Sequence, residues 1–255
     1  MPCKVSIIIA VKNGERFIAH TLESILAQDY PHIECVVVDG MSSDGTLDVV
    51  KSFEPRFAGR LKWVSDNDSG MYQAINRGIA LSTGDILGIL NSDDFYHRPD
   101  SVSTIVKRLE KGDVDAVYGD VRFVHGNDLD NTVRLYSCRG FRNWMFRIGD
   151  QPAHPTFFTY RKHFDSLGGY NEEFKIAGDF ELMLRFIYRN RLKTAYIPEI
   201  LVTMRTGGFG NSVENCFTHK NSEILRACSI NGVFSCYPML FLRYLKKITQ
   251  YLFKG

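Results

Sequence analysis

The chain has 255 residues, 44% of them hydrophobic and 24% charged, with a formal net charge of +2 at pH 7. Such a length and composition suffice for a large buried core, organised as one domain with a small appendage. No Lys/Arg-rich block interleaves with aromatics in the first two hundred residues, so nothing in the charge calls for a nucleic acid partner.

The chain opens Met1-Pro2-Cys3-Lys4 directly into a strand-like segment, without the apolar core of a signal peptide. No span reaches the roughly 20 apolar residues that a transmembrane helix needs. A cytoplasmic location is expected. Apolar runs then alternate with helical patterns. Val5–Val11 reads as a strand, and Phe17, Ile18, Leu22, Ile25 and Leu26 recur at helical spacing. Residues 33–38 read as a second strand closed by Asp39-Gly40, and residues 46–53 as a helix. A short strand over 61–64, a helix over 71–81, a strand over 86–90 and a helix carrying Val102, Ile105, Val106 and Leu109 follow. This βαβ patterning makes residues 1–112 a Rossmann-like unit. Beyond Gly112 the pattern is mixed, with candidate strands 116–118, 121–125 and 156–159 and a polar loop over 126–132. Cys3, Cys35, Cys138, Cys216, Cys228 and Cys236 show no paired metal-ligand spacing and read as reduced core thiols.

Four segments carry chemistry. The apolar run 86–90 ends abruptly in Asn91-Ser92-Asp93-Asp94. The carboxyl edge of a parallel sheet is where ligands bind, and adjacent carboxylates repel each other unless a cation intervenes. Mg²⁺ and Mn²⁺ favour such oxygens and share them with substrate phosphates. A metal-bound phosphate ester and a polar turn or helix cap are both open on these residues alone. Next, Asp39 leaves a buried strand into Gly40-Met41-Ser42-Ser43-Asp44-Gly45, where a carboxylate can accept from a nucleobase N–H or ribose hydroxyls, while Asp44 caps the following helix. In the third, Asp66-Asn67-Asp68-Ser69-Gly70 runs into a helix bearing Tyr72, Asn76 and Arg77; Asp68 could touch donor or metal, and Arg77 could offset phosphate charge, against ordinary capping and surface roles. The fourth, Gly168–Glu181, places Asp179 at a helix start, where a cap and a general base are the alternatives.

Together, and in this order, these segments resemble family 2 of the inverting glycosyltransferases over about residues 5–210. The resemblance implies an α/β, GT-A fold: a Rossmann-like nucleotide-binding half with a mixed central sheet, plus C-terminal helices. The expected division is a glycosyltransferase domain over 1–210, with a nucleotide-binding half to about 112 and an acceptor-side half over 113–210, and a helical extension over 211–255. Residues 6–13 look like the opening strand and loop around the nucleotide, making Ala10, Val11 and Asn13 donor-binding, although Ala10 stands where the family usually has proline. Asp39 matches the base-binding aspartate. Asn91-Ser92-Asp93-Asp94 looks like the family's Asp-X-Asp-Asp variant, with Asp93 beside ribose and metal and Asp94 the main ligand of Mn²⁺ or Mg²⁺. Asp179 matches the catalytic base of a Glu-Asp pair whose glutamate is here Gly178. His154 resembles an acceptor-side residue; Arg205, with Gly207 and Gly208 in a glycine-rich loop, matches segments lining the acceptor side and the diphosphate.

The implied activity moves a sugar, with inversion, from a nucleotide-sugar (a UDP-sugar by expectation) to a hydroxyl of a glycan or lipid-linked acceptor in bacterial cell-surface polysaccharide synthesis. Three competitors are weaker on the residues. A dinucleotide-dependent oxidoreductase would need Gly-X-Gly-X-X-Gly where Lys12-Asn13-Gly14-Glu15-Arg16 stands. A sugar-phosphate nucleotidyltransferase would open with a Gly-rich phosphate loop. A catalytically impaired nucleotide-sugar-binding module draws on Gly178 and Asn91. After Pro238, Phe241, Leu245, Ile248 and Leu252 share one helical face, and Arg243, Lys246, Lys247 and Gln250 another. Such a helix suits the inner face of an anionic membrane as a peripheral contact, and equally the protein's own core or a homodimer interface.

Overall fold

The computed structural model describes residues 2–67, 70–206 and 213–243, over 213–218 as backbone alone. The first half follows the βαβ reading. Strand β1 (Val5–Val11) pairs in parallel with β2 (Ile33–Asp39) on one side and β4 (Ile86–Ile89) on the other, and β2 pairs in parallel with β3 (Leu61–Ser65). All seven residues of β2 are buried, as in strands covered on both faces. Helices α1 (Glu15–Leu26), α2 (Thr46–Phe57) and α3 (Met71–Leu81) are the crossovers. Helix α2 runs four residues past the expected end because Val50, Phe53 and Phe57 form one buried stripe, with Pro55 on the exposed side of the last turn. The strand order β3-β2-β1-β4 reverses at β1, and the crevice outside the carboxyl ends of β1 and β4 is the switch point of such a sheet.

The same sheet continues through the second half. The remaining strands are β5 (Phe95–Tyr96), β6 (Ala116–His125), β7 (Asp128–Tyr136), β8 (Phe158–Tyr160) and β9 (Thr194–Thr206), in the order β4-β8-β6-β9-β5, with β7 on β6. Strand β8 is antiparallel to β4 and β6, whereas β9 is parallel to β6. Helices α4 (Ser101–Leu109), α5 (Arg161–Leu167), α6 (Gly178–Met183) and α7 (Val213–Ile230) follow, with short 3-10 turns over Asn143–Ile148 and His154–Thr156 and a π-helical turn over Leu184–Arg189. Three readings change. Segments 116–118 and 121–125 are one strand, its register against β9 shifting around Asp120. The polar loop over 126–132 is the turn and first residues of a hairpin, because Arg134 on β7 stacks over Phe123 and Tyr136 at 4.3 and 5.6 Å. The candidate strand 156–159 shifts to 158–160, with Thr156 in a tight turn over His154–Thr156.

No helix among the described residues is long and apolar enough to cross a membrane. The five described cysteines carry no disulfide, and Cys35, Cys138 and Cys228 are buried; Cys216 lies outside the described residues. In the described part of the last helical segment, Arg243 is buried and donates to Gly149 O and Asn221 Oδ1, while Phe241 and Leu242 are 56% and 51% exposed. The faces expected there are reversed, since Arg243 turns inward. The rest of that helix, with Leu245, Lys246, Lys247, Ile248 and Leu252, lies outside the described residues.

Candidate active site

Two clusters meet at the carboxyl edge of the sheet. The first forms around the acidic turn after β4. Thr21 Oγ1 of α1 lies 2.8 and 2.7 Å from the carbonyl oxygens of Ser92 and Asp94 and pins the turn. Asp94 is 1% exposed; Asn91 Nδ2 donates to its Oδ2 (2.7 Å) and the Arg205 amide to its Oδ1 (3.3 Å). Burial, reinforced by the neighbouring Asp93 charge, pushes the Asp94 carboxyl well above the usual carboxylate range. Burial also raises Asp93, the more accessible of the two.

Arg205 sits at the end of β9 and backs this turn. Its guanidinium lies between the rings of Phe17 (4.7 Å) and Phe95 (4.9 Å) and donates to Asp93 O (2.5 Å) and Gly126 O (3.1 Å). It also meets His20 Nδ1 at 2.6 Å. A guanidinium only donates, so Nδ1 accepts, and burial followed by the Arg205 charge holds His20 below its ordinary value, in the neutral form that can do so. The Arg205 charge thus stands near the two aspartates without ion-pairing either carboxylate.

Asp39 closes the same crevice from β2. It is fully buried and accepts from Ser42 N (3.1 Å), Ser42 Oγ and Ser65 Oγ (2.6 Å). Ser42 Oγ in turn accepts from the Asn13 amide (2.7 Å), and Asn13 Oδ1 accepts from Ser43 N (2.9 Å). Asn13 holds φ +52°, in the left-handed region where asparagine is tolerated, so the loops after β1 and β2 are zipped together. Asp44 does cap: it accepts from the amides of Thr46 (3.1 Å) and Glu15 (3.2 Å), at the starts of α2 and α1. Ala10 and Val11 end β1 beside Val38 and Asp39. Arg77 pairs with Asp66 (2.6 Å). Asp68, Gly207 and Gly208 lie outside the described residues.

The second cluster surrounds Asp179. Helix α6 is capped at Ala177, not at Asp179, and its first amides find other partners. Tyr72 Oη accepts from Gly178 N (2.9 Å) and Asp179 N (3.3 Å) and donates to Ile176 O (2.9 Å). Glu223 of α7 accepts from the amides of Lys175, Ile176 and Ala177 (3.0, 2.9 and 2.7 Å). The Asp179 side chain is therefore left with one amide of the first turn, that of Phe180. Its Oδ1 accepts from Phe180 N (2.8 Å) and its Oδ2 from Gln151 Nε2 (2.7 Å). A Cβ at Gly178 would stand 2.6 Å from Tyr72 Cε2, so the tyrosine ring occupies the space a side chain at 178 would need. Tyr170 stacks on Tyr72 (5.5 Å between centroids, 9° between planes) and shares a 2.6 Å hydrogen bond with His154 Nε2. Burial lowers the His154 pKa and the Asp179 charge opposes it.

A cavity of about 230 Å³ opens at this cluster, lined among others by Gln151, His154, Asp179, Tyr136, Lys220 and Met204. Neighbouring residues on a strand face opposite sides of a sheet. Met204 therefore borders the Asp179 cavity while Arg205 backs the Asp93-Asp94 turn, and β9 fastens one cluster to the other. The sequence reading missed Gln151, Tyr136 and Glu223 altogether; the only signal for Tyr72 and Asn76 was their one-turn spacing. Asn76 pins Tyr170 through both its backbone groups (2.7 and 2.8 Å). Among the described residues no three His, Cys, Asp or Glu side chains converge as a metal cage. A cation at Asp93 and Asp94 would need ligands from elsewhere, as Mg²⁺ and Mn²⁺ take from substrate phosphates and water.

Comparison with known proteins bears on the family and the fold. The family model described as glycosyl transferase family 2 matches residues 6–168. A PGL/p-HBAD biosynthesis glycosyltransferase of Mycobacterium bovis is 31% identical over 217 residues, 82% of this chain and 79% of that protein. An uncharacterized glycosyltransferase of Mycobacterium tuberculosis is 35% identical over 187 residues, 71% of this chain and 68% of its own length. Among solved structures, TarS residues 1–349 of S. aureus in complex with UDP-GlcNAc has a TM-score of 0.69 at 20% identity, over 89% of this chain and 66% of that one, so this chain spans just under two thirds of it. The mannosyltransferase PcManGT of Pyrobaculum calidifontis, in complex with GDP-Man and Mn²⁺, has a TM-score of 0.69 at 19% identity, over 94% of this chain and 67% of its own. At such identities the two structures speak for the GT-A fold alone. With a family model spanning more than half of the residues and an acidic turn and a cradled aspartate meeting at one sheet edge, the chain belongs to glycosyl transferase family 2 and is a glycosyltransferase.

Proposed function

We propose that this glycosyltransferase binds a UDP-sugar at the switch-point crevice and transfers the sugar with inversion to an acceptor hydroxyl in the cavity beside Asp179, for bacterial cell-surface polysaccharide. The observation that carries this reading is the state of Asp179: Tyr72 takes the amides of Gly178 and Asp179 at the helix start, and the Asp179 carboxylate, which accepts from Phe180 N and Gln151 Nε2, keeps lone pairs for a substrate proton. Asp179 takes the proton of the attacking hydroxyl, a contribution typically of about 10²- to 10⁴-fold. Asp39, Asn13 and the ends of β1 hold the nucleoside, and Asp93 and Asp94 hold Mn²⁺ or Mg²⁺ with the donor's phosphates. Two adjacent carboxylates driven toward neutrality by burial and mutual repulsion suit a divalent cation, which restores their charged forms. That cation supplies neutralisation of the departing nucleoside diphosphate. Arg205 keeps the acidic turn in place from behind, and its charge reaches the diphosphate through that turn. His154 and Met204, which border the Asp179 cavity, form the acceptor side. A lipid-linked acceptor would approach past Phe234, Tyr237, Phe241 and Leu242, exposed side chains that support peripheral membrane contact.

The test is a panel of UDP- and GDP-sugars with Mn²⁺, read by thermal shift and by release of nucleoside diphosphate. A ligand at 100 times its dissociation constant should stabilise by about 2.7 kcal/mol. Turnover that persists in excess chelator would sink the metal assignment, and retained anomeric configuration in the product would sink the single displacement. Donor binding without any release would favour a binding module instead.

A further inference from the structure

The wall of the Asp179 cavity holds a carboxamide that neither the family resemblance nor the proposed function uses. Gln151 Nε2 donates to Asp179 Oδ2 at 2.7 Å. A carboxylate only accepts, so the amide nitrogen must face Asp179 and Oε1 must face away. Gln151 Oε1 is buried yet has no hydrogen-bond partner among the described residues, and Gln151 lines the cavity. Such an atom is costly to bury unless something donates to it. The backbone here is fixed from an adjoining strand: Tyr136 Oη of β7 donates to Gln151 O at 2.6 Å and lies 3.1 Å from Asp150 Oδ1. Gln151 is thus held by the hairpin, whereas Asp179 is held by α6, and the 2.7 Å contact joins two independently anchored elements.

We propose that Gln151 is a positioning residue for the base: its Nε2 fixes the plane of the Asp179 carboxylate together with Phe180 N, and its Oε1 accepts from a second hydroxyl in the cavity, other than the one whose proton Asp179 takes. The inference rests on Asp179 being the base, as proposed above. With Oδ1 held by Phe180 N and Oδ2 by Gln151 Nε2, each oxygen keeps one lone pair directed away from those donors. Productive catalysis needs the reacting groups within a fraction of an ångström and a narrow angle, which a two-point hold on the carboxylate provides. Of the titratable groups, His154, Tyr72 and Tyr170 feel the Asp179 charge, and Asp150, Arg134, Lys220 and Arg243 line the same cavity.

The experiment uses the full chain, the Mn²⁺-dependent release of nucleoside diphosphate from the most active UDP-sugar of the panel, and Gln151→Leu, Gln151→Glu and Asp179→Asn, each first checked for an unchanged thermal transition. Gln151→Leu should lower kcat by about 10-fold with the donor KM unchanged. Gln151→Glu sets a second carboxylate against Asp179, so the acidic limb of its pH–rate profile should move up by about one to two units, with activity recovering toward high pH. In parallel, the ¹³C carboxyl resonance of Asp179, assigned by its loss in Asp179→Asn, should titrate at higher pH in Gln151→Glu than in wild type. Turnover whose acidic limb ignores Gln151→Glu overturns this inference alone, as does a carboxyl resonance that titrates unchanged. An Asp179→Asn enzyme as fast as wild type overturns the base assignment and this inference with it.

Discussion

Glu34 and Asp94 are both buried carboxylates, 2% and 1% exposed, at opposite edges of the same parallel sheet. Glu34, near the amino edge of β2, meets Lys4 Nζ (2.8 Å), Lys62 Nζ (3.1 Å), Ser6 Oγ (2.6 Å) and the Thr83 amide (2.5 Å). Burial alone would raise its pKa, but these partners outweigh it and hold the carboxyl well below the usual range. Asp94, past the carboxyl edge of β4, has an amide side chain and one long backbone bond; the like charge of Asp93 beside it outweighs the Arg205 charge, which stands near without ion-pairing it. The difference separates scaffold from site. A buried carboxylate matched by the protein's own cations joins strands, while one left unmatched beside a second acid is a place for a cation from solution.

Substitutions at the two acids should therefore have opposite signatures. The largest effect is expected at the site: Asp94→Asn should abolish Mn²⁺-dependent release of nucleoside diphosphate and remove the thermal stabilisation by Mn²⁺ with UDP. The cation-free protein should be no less stable. The sign follows from the raised pKa: the charged form opposes the fold increasingly as pH rises above the ordinary carboxylate value, and asparagine removes that charge. A cation-free Asp94→Asn protein that melts far below wild type would break the comparison.

Asp179→Asn comes next, with transfer down by about 10²- to 10⁴-fold and donor affinity preserved, measured as kcat against donor KM. Unlike Asp94, Asp179 acts on the acceptor, so Mn²⁺ with UDP should still raise its melting temperature. Glu34→Gln should do the reverse of Asp94→Asn. It should lose about 2 kcal/mol of stability at neutral pH, the order of a charged hydrogen-bond network, while turnover per folded molecule stays unchanged. Because the folded pKa of Glu34 is depressed, its contribution is complete above the unfolded value and lost as pH falls through the folded one. The gap between wild-type and Glu34→Gln melting temperatures should accordingly close in acid.

The smallest effect is expected at Asp39, a third buried carboxylate, bonded by hydroxyls and an amide with no cation paired to it among the described residues. Asp39→Asn should raise the donor KM by about tenfold with little change in kcat, because its assigned partner is the nucleoside and not the reacting centre. A lowered kcat with an unchanged KM would place Asp39 with the scaffold, beside Glu34.

Chain periodicity was enough for the first half of the fold and for the acidic turn. Buried parallel strands such as Ile33–Asp39 are continuous apolar runs, and the polar residues that end them stand where the sheet's edge must be. The order of motifs likewise carried the family, which the match over residues 6–168 shows. What lay beyond reach depends on contacts between residues distant in the chain. The 13 residues of Thr194–Thr206 alternate poorly because one strand pairs β6 along most of its length, with a register shift around Asp120, and also takes β5 at Val202 and Thr203. That Gly178 is bare because Tyr72 fills its space, that Arg243 turns inward, and that Arg205 backs the acidic turn between Phe17 and Phe95 are likewise facts of packing. A local pattern records which face of an element is buried, but the partner of a buried polar group is chosen by the folded chain. Only the tertiary structure could bring Gln151 to Asp179 and bury Asp94 beside the like charge of Asp93.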